Sequence, residues 1–242
     1  MKQIDRIRKF SDAFGPSGFE DAVVAYAQEE VREICTCKED HMRNLYMNLK
    51  GNSQGGVNIM LDAHSDEVGF IVQAVKSNGL LRFLPLGGWD VKNIIANKVL
   101  IKNRDGKLIP GIVCSKPVHF MNASEQGKAL DFADVLIDVG ATSAQEVQES
   151  FRIGIGAPIV PDVTCTYDEE HKTFMGKAFD NRIGCAAVVE TLCRLHGRTL
   201  TNTVSATLSS QEEVGERGMT CVMNNVKPDV VICFEGCPAY DS

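Results

Sequence analysis

The sequence contains no apolar run long enough to cross a lipid bilayer. Its longest apolar runs, at residues 57–61 and 230–234, are far shorter than the roughly 20 residues that a transmembrane helix requires. The first residues, MKQIDR, are polar and charged, and they lack the apolar core and cleavage site of a signal peptide. These absences argue against a membrane protein and predict a cytoplasmic one.

Closely paired cysteines and an excess of basic residues are also missing. Nine cysteines are scattered along the chain without a CxxC pair, so reduced thiols are expected rather than a disulfide framework. Cys233 and Cys237 flank Glu235, but structural thiols are the better explanation for them than soft metal ligands. A net charge of −7 provides no basic stripe to neutralise phosphates, which argues against a nucleic-acid partner.

Helix and strand signals alternate at both ends of the 242-residue chain, which is long enough for one large domain or two smaller ones. Residues 2–35 are predicted to be helical with a break at 14–18, where Ser17 can cap the second helix. The apolar positions of that helix recur at helical spacing, at Val23, Val24, Ala27 and Val31. Further helices are predicted to begin at Asp180 and to span 219–225, and the first of them has one apolar face made of Cys185, Val188, Val189, Leu192 and Leu195. Strands are predicted at 44–49, 57–61, 204–208 and 230–234.

The middle of the chain, residues 70–161, differs in composition. Short apolar stretches there are separated by turn signals, and the step Asp105-Gly106 between two of them predicts a tight hairpin. Another strand is predicted at 135–139 and one short helix at 143–151. The predicted order is therefore α/β, a mostly β insertion, and α/β again.

A histidine and several acidic residues lie where predicted strands end or helices begin. They are His64, Asp66, Asp180, Glu212, Glu213 and Glu235. Ligands of open α/β sheets gather beyond the carboxyl ends of the strands, so these side chains are expected to share one crevice. Carboxylates and an imidazole in one crevice would resist desolvation unless divalent cations lay among them. The pattern predicts a two-metal hydrolase.

Each of these residues also has a plainer explanation. The H-x-D pair can be a structural histidine beside a capping aspartate, and Asp180 can be an ordinary helix N-cap. The adjacent glutamates can form a solvated face, and Glu235 can be a turn residue before Gly236. Several independent placements at crevice positions are much less probable by chance than any one of them, and this favours the functional interpretation.

Three segments carry a resemblance to a known family. They are AHSDEVG at 63–69, FDNRIG at 179–184 and EEVGERG at 212–218, and AFGPSG at 13–18 accompanies them. They closely resemble motifs of the cocatalytic metallo-aminopeptidases, the family of glutamyl aminopeptidase and the tetrahedral aminopeptidases. Some members of that family also carry the names cellulase M or endoglucanase. The resemblance runs in order over essentially the whole chain.

The resemblance implies a fold and an assembly. Residues 1–69 and 162–242 would form an α/β catalytic domain with a mixed, largely parallel sheet flanked by helices. Residues 70–161 would form an inserted β-barrel or PDZ-like dimerisation domain. Members of the family assemble into hollow dodecamers, so a homo-oligomer is expected.

The resemblance also implies a ligand set for two divalent ions, Zn²⁺ or Co²⁺. His64 would bind one ion, Asp180 would bridge both, Glu213 would bind one of them and Glu235 would complete the other site. The family commonly has aspartate at the position of Glu235, and a glutamate there supplies the same hard oxygen ligand on a longer arm.

Two further residues would take part in catalysis. Asp66 would orient His64 and tune the ions, and Glu212 would be the general base that activates a bridging water. The final ligand of the family is a histidine in the C-terminal part of the catalytic domain, and no residue after Glu235 can supply it. The expectation is therefore a C-terminally truncated member in which one ion lacks a protein ligand.

The predicted function is metal-dependent removal of N-terminal residues from short peptides. The identity of the preferred first residue and the choice between zinc and cobalt stay open at this point. Two alternatives are a non-catalytic fragment that acts only in assembly, and a glycoside hydrolase, which would also use paired carboxylates.

Overall fold

The computed structural model describes residues 2–52, 55–124 and 127–240. Its helices are α1 Lys2–Asp12, α2 Asp21–Val31, α3 Ala144–Glu149, α4 Phe179–Leu195 and α5 Arg217–Asn225. Its strands are β1 Cys35–Glu39, β2 Leu45–Leu49, β3 Asn58–His64, β4 Gly69–Val75, β5 Leu81–Leu86, β6 Lys98–Lys102, β7 Leu108–Ser115, β8 Val135–Asp138, β9 Pro158–Pro161, β10 Thr166–Asp168, β11 Thr173–Met175, β12 Thr203–Ser209 and β13 Val230–Cys233.

The chain divides into two compact units. The first, which we call the sheet unit, combines the residues up to Glu67 with those from Thr164 onward, and the second, the barrel unit, spans Val68–Val163. Among the described helices, none combines the length and hydropathy that a bilayer span requires.

A five-stranded mixed sheet forms the centre of the sheet unit, with strand order β1-β2-β12-β3-β13. β12 and β13 pair parallel with β3, whereas β1, β2 and β12 are joined by antiparallel pairing. In the register of β12 and β3, Ser209 lies opposite His64. Because parallel strands end at the same edge, this register brings the residues after β12 next to His64.

The predicted helical faces form the core of the sheet unit. Val23, Val24, Ala27 and Val31 of α2 are all buried, and so are Cys185, Val188, Val189 and Leu192 of α4. They join one hydrophobic cluster with buried residues of β2, β3 and β12. The helical spacing of these apolar residues therefore correctly predicted which helix faces are buried.

Two local predictions near the N-terminus were wrong. The helical segment ends at Val31, and β1 follows as an edge strand in which only Cys35 is buried. Its sequence, CTCKE, has too little apolar alternation to indicate a strand. Ser17 does not cap α2, because its Oγ donates to Asp66 Oδ2 at 2.6 Å. Glu20 occupies the N-cap position, and no side-chain capping bond is formed there.

The barrel unit is a closed barrel with strand order β4-β5-β8-β7-β6-β9. The predicted hairpin is confirmed, because β6 and β7 pair antiparallel on either side of Asp105 and Gly106. Gly106 has φ +76°, a value that suits glycine at a tight turn. The first and last strands, β4 and β9, are also paired, with Phe70 opposite Ile159. Of the two folds expected for the insertion, the structure has the barrel.

A buried ion-pair network holds the start of α4 in the sheet unit. Arg182 is only 1% exposed, and its guanidinium donates to three backbone carbonyl groups, those of Phe10, Ala13 and Gly15. It also lies 3.3 Å from Glu67 Oε1, and Lys177 Nζ lies 2.7 Å from both carboxylate oxygens of Glu67. The network therefore joins the end of α1, the residues after β3 and the start of α4.

We predict that Arg182→Met lowers the free energy of unfolding of the sheet unit by about 3–5 kcal/mol, because it leaves a buried carboxylate with one cation fewer and three carbonyl groups without their donor. Urea denaturation measures the change. Arg194→Met is the matched control: Arg194 lies on the same helix, but its side chain is 65% exposed, so a loss below about 1 kcal/mol is expected. Equal losses in the two variants would contradict the assigned role of the network.

Candidate metal centre

Most of the predicted site residues lie at or just after the carboxyl ends of three neighbouring strands, β3, β12 and β13. His64 is the last residue of β3 rather than a residue just beyond it, and Asp66 follows two positions later. Glu212 and Glu213 come after β12, and Glu235 comes after β13, which ends at Cys233. Asp180 reaches the same place from the start of α4.

The side chains of these residues converge on the imidazole of His64. Its Nε2 lies 2.8 Å from Asp180 Oδ1, 3.6 Å from Glu235 Oε1 and 3.9 Å from Glu212 Oε2. Two sets of donor atoms lie within 4.8 Å of one another, one from His64, Asp180 and Glu235 and the other from His64, Glu212 and Glu213. Both sets mix one nitrogen with carboxylate oxygens, a combination that suits a zinc-like divalent ion.

The two sets share one residue, His64, whose Nε2 faces Asp180, Glu212 and Glu235. One imidazole nitrogen binds one ion, so His64 can complete only one of the two sets at a time. Asp180 and the glutamates each offer two oxygens and have room to serve a neighbouring ion. The described residues therefore assemble one three-donor N/O site and further carboxylate oxygens beside it.

Burial and neighbouring charges raise the pKa of both adjacent glutamates of the site. Burial raises the pKa of Glu213 to about 7, and the charges of Asp180, Asp66 and Glu212 add to this effect. Burial and neighbouring acids also raise the pKa of Glu212. A divalent cation among these groups would favour their ionised forms, so the donor set fits a metal ion.

The same acidic neighbours also raise the pKa of His64. Burial by itself lowers this pKa, but the acidic neighbours, with Asp66 first, then Asp180 and Glu212, outweigh burial and raise it to about 9. The acidic neighbours thus favour the protonated imidazole, and a metal ion would bind in place of that proton.

Asp180 is available for the site because its neighbour caps the helix. Asp180 and Asn181 have non-helical dihedral angles, and Asn181 Oδ1 accepts a hydrogen bond from Gly184 N–H, the bond of an N-cap side chain. Asn181 Nδ2 donates to the carbonyl oxygen of Phe234 at 2.6 Å, which fixes the backbone next to Glu235. Asn181 therefore positions two of the predicted ligands, a role that the sequence pattern does not indicate.

The residues that follow β12, which we call the 210–213 segment, are held by side chains rather than by a helix or a strand. Four successive backbone N–H groups each donate to a buried side-chain oxygen. Ser210 N–H donates to Asn44 Oδ1, Gln211 N–H to Glu20 Oε1, Glu212 N–H to Asp66 Oδ1 and Glu213 N–H to Asp66 Oδ2, at 2.9, 3.1, 2.9 and 3.2 Å. Asn44, Glu20 and Asp66 are each 0% exposed.

Asp66 makes its main contacts with this segment. Its carboxylate accepts from Glu212 N–H, Glu213 N–H and Ser17 Oγ–H. Its Oδ1 lies 3.3 Å from His64 Nδ1, yet this nitrogen has no hydrogen-bond partner in the part of the chain that is described. Burial raises the pKa of Asp66, but the His64 charge and these hydrogen bonds outweigh burial and hold it below its usual range.

A family comparison and a curated relative both relate this chain to the aminopeptidases. Residues 43–242 match the M42 glutamyl aminopeptidase family. The glutamyl aminopeptidase of Lactococcus lactis subsp. cremoris (strain MG1363) is 29% identical over 244 residues, which covers 100% of this chain and 68% of that protein.

Solved structures agree with the sequence matches. The TET aminopeptidase from the marine sediment archaeon Thaumarchaeota archaeon SCGC AB-539-E09 is 35% identical with a TM-score of 0.94, covering 100% of this chain and 68% of that one. PhTET1-12s, solved with a dodecamer in the asymmetric unit, is 25% identical with a TM-score of 0.85, covering 96% and 68%. The chain thus spans about two thirds of the length of each of these relatives.

We predict that Asp66→Ala lowers the free energy of unfolding of the sheet unit by about 2–4 kcal/mol, because two backbone N–H groups and a hydroxyl lose a buried acceptor. Chemical denaturation measures this loss. Asp168→Ala is the control: this exposed carboxylate also accepts three hydrogen bonds, but water can replace it there. A denaturation midpoint that moves equally in both variants would contradict the importance of burial at Asp66.

Proposed function

This chain belongs to the M42 glutamyl aminopeptidase family, and on that premise we propose that it removes N-terminal residues from short peptides with the help of two divalent ions. The observation that carries the proposal is the convergence of Asp180, Glu235 and Glu212 on Nε2 of His64. Peptide hydrolysis uses such a mixed N/O donor set, whereas glycoside hydrolysis needs two carboxyl groups across a sugar bond and no imidazole between them.

The residues present fit an ion of the zinc or cobalt type. His64, Asp180 and Glu235 would hold one ion, and Asp180 and Glu213 would contribute oxygens to a second. When bound, the ions polarise the scissile carbonyl group and lower the pKa of a water molecule.

Glu212 is the proposed general base. It lies beside the proposed ligands and takes a proton from the attacking water, then delivers that proton to the leaving amine. Its pKa is raised by burial and by the acids around it, which brings it closer to the range in which a carboxyl group transfers protons near neutral pH. Asp66 accepts a hydrogen bond from the backbone N–H of Glu212 and so fixes the backbone position from which the Glu212 side chain extends.

A cavity of about 440 Å³ borders the site. It is lined by the proposed ligands Asp180 and Glu235 and by apolar groups that include Phe179, Ile183 and Pro238. Its position beside the ligands supports binding of a short peptide there. The acidic rim attracts the free amino group that marks the N-terminus of such a peptide.

Self-association is part of the same proposal. PhTET1-12s, whose fold this chain shares, forms a dodecamer. The barrel unit exposes large apolar side chains, among them Val118 and Phe120, which are 65% and 74% exposed. Exposed apolar groups of this size favour an interface, and the barrel unit is therefore the proposed dimerisation element.

We predict that the purified chain binds Zn²⁺ or Co²⁺ and releases product from leucyl and glutamyl anilides, and that chelation abolishes turnover. His64→Asn should weaken metal binding about 100-fold or more in calorimetry, because it removes the one nitrogen ligand. His171→Asn provides the control, since His171 is exposed and pairs with Asp168 at 2.8 Å. Absence of metal binding in the parent chain, or equal binding by both variants, would overturn the metal site.

We predict that Glu212→Gln lowers kcat by about 10²–10⁴-fold and leaves metal stoichiometry unchanged, because the amide cannot accept the proton. Anilide kinetics and bound-metal analysis measure the two quantities. Glu216→Gln changes an exposed glutamate of the same turn and should retain full activity. Normal turnover in Glu212→Gln would remove Glu212 from its assigned role.

A further inference from the structure

Glu20 is a fully buried acid in the sheet unit for which the mechanism above has no role. It is 0% exposed and stands at the N-cap position of α2. An acidic side chain there normally bonds the first turn of its own helix, but no such bond is formed. Instead Oε1 accepts hydrogen bonds from Gly18 N–H at 2.8 Å and from Gln211 N–H at 3.1 Å.

The other oxygen of Glu20 shows how unfavourable this position is for an acid. Oε2 is buried and has no hydrogen-bond partner among the described residues. Burial, and the charge of Asp66 to a smaller degree, raise the pKa of Glu20 to about 7 against the opposing effect of its hydrogen bonds. A carboxyl group with one unsatisfied oxygen destabilises the fold, so its stabilising contribution must come through Oε1.

Oε1 connects two segments that both contribute to the candidate metal centre. Gly18 lies next to Ser17, whose hydroxyl donates to Asp66. Gln211 precedes Glu212 and has φ +53°, a left-handed conformation that a side-chain-bearing residue rarely adopts. That conformation turns the N–H of Gln211 toward Glu20 and leaves those of Glu212 and Glu213 directed at Asp66.

We propose that Glu20 is a positioning residue for the hydrolytic reaction. By accepting from Gln211 N–H, it holds the left-handed backbone that places Glu212 and Glu213 beside His64. Glu20 touches neither substrate nor metal and acts through the backbone of the 210–213 segment. The expected effect on kcat rests on the proposed function. The expected effect on the backbone of the 210–213 segment does not.

Two variants test the proposal in the full chain. Glu20→Met keeps the length of the side chain and removes the acceptor, so kcat on anilides should fall about 10–100-fold with KM within about twofold, as expected when a catalytic group is misplaced. Glu20→Gln keeps an oxygen at Oε1 and should retain kcat within about threefold. Glu29→Met, at an exposed position on α2 with 62% exposure, should leave kcat unchanged.

Amide hydrogen exchange supplies a readout that does not need turnover. In Glu20→Met the amides of Gln211, Glu212 and Glu213 should exchange at least about tenfold faster than in the parent chain, whereas in Glu20→Gln they should exchange at the parental rate. Parental exchange at these amides in Glu20→Met, or equal loss of kcat in Glu20→Met and Glu20→Gln, would overturn the positioning role. A parent chain without turnover would overturn the proposed function, and the exchange data would still decide the role of Glu20.

Discussion

Hydrogen bonding of the 210–213 segment is the constraint on which the candidate site depends. The segment carries two predicted site residues but belongs to neither a helix nor a strand, so its backbone N–H groups need other acceptors. Asn44, Glu20 and Asp66 supply them from three distant parts of the sequence. Since all three acceptors are buried, water cannot replace them. The 210–213 segment therefore has a defined position only when the parts of the chain that carry Asn44, Glu20 and Asp66 are folded around it.

The charges around His64 are a second constraint on the candidate site. Burial and neighbouring acids raise the pKa of Glu212 and Glu213, and the acids around His64 raise the pKa of its imidazole. A cluster of this composition destabilises a fold unless positive charge accompanies it. The same residues offer donor atoms for a metal ion, and most of them lie at the ends of strands that the hydrophobic core holds in place.

Much of the fold and the list of candidate site residues could be predicted from the sequence, and the reasons are physical. The helical spacing of Val23 and Val188 with their neighbours indicates a buried face, and the Asp105-Gly106 step indicates a turn. Glu20, Asn44 and Asn181 could not be predicted to matter. Their roles consist of bonds to backbone groups far away in the chain, which leave no period or spacing in the sequence. The polar β1 strand escaped prediction because it lacks apolar alternation.

The antiparallel pairing of β4 with β9 has a consequence for how the protein folds. The parallel pairing of β3 with β12 must close a loop that includes the whole segment Val68–Val163. Loop-closure entropy grows with the logarithm of loop length, so an unstructured barrel segment makes this closure roughly 1 kcal/mol less favourable than the residues outside it would alone. Once the barrel has folded, its two chain ends lie side by side, and the β3–β12 ladder forms as if only the remaining residues, about 40, separated the strands.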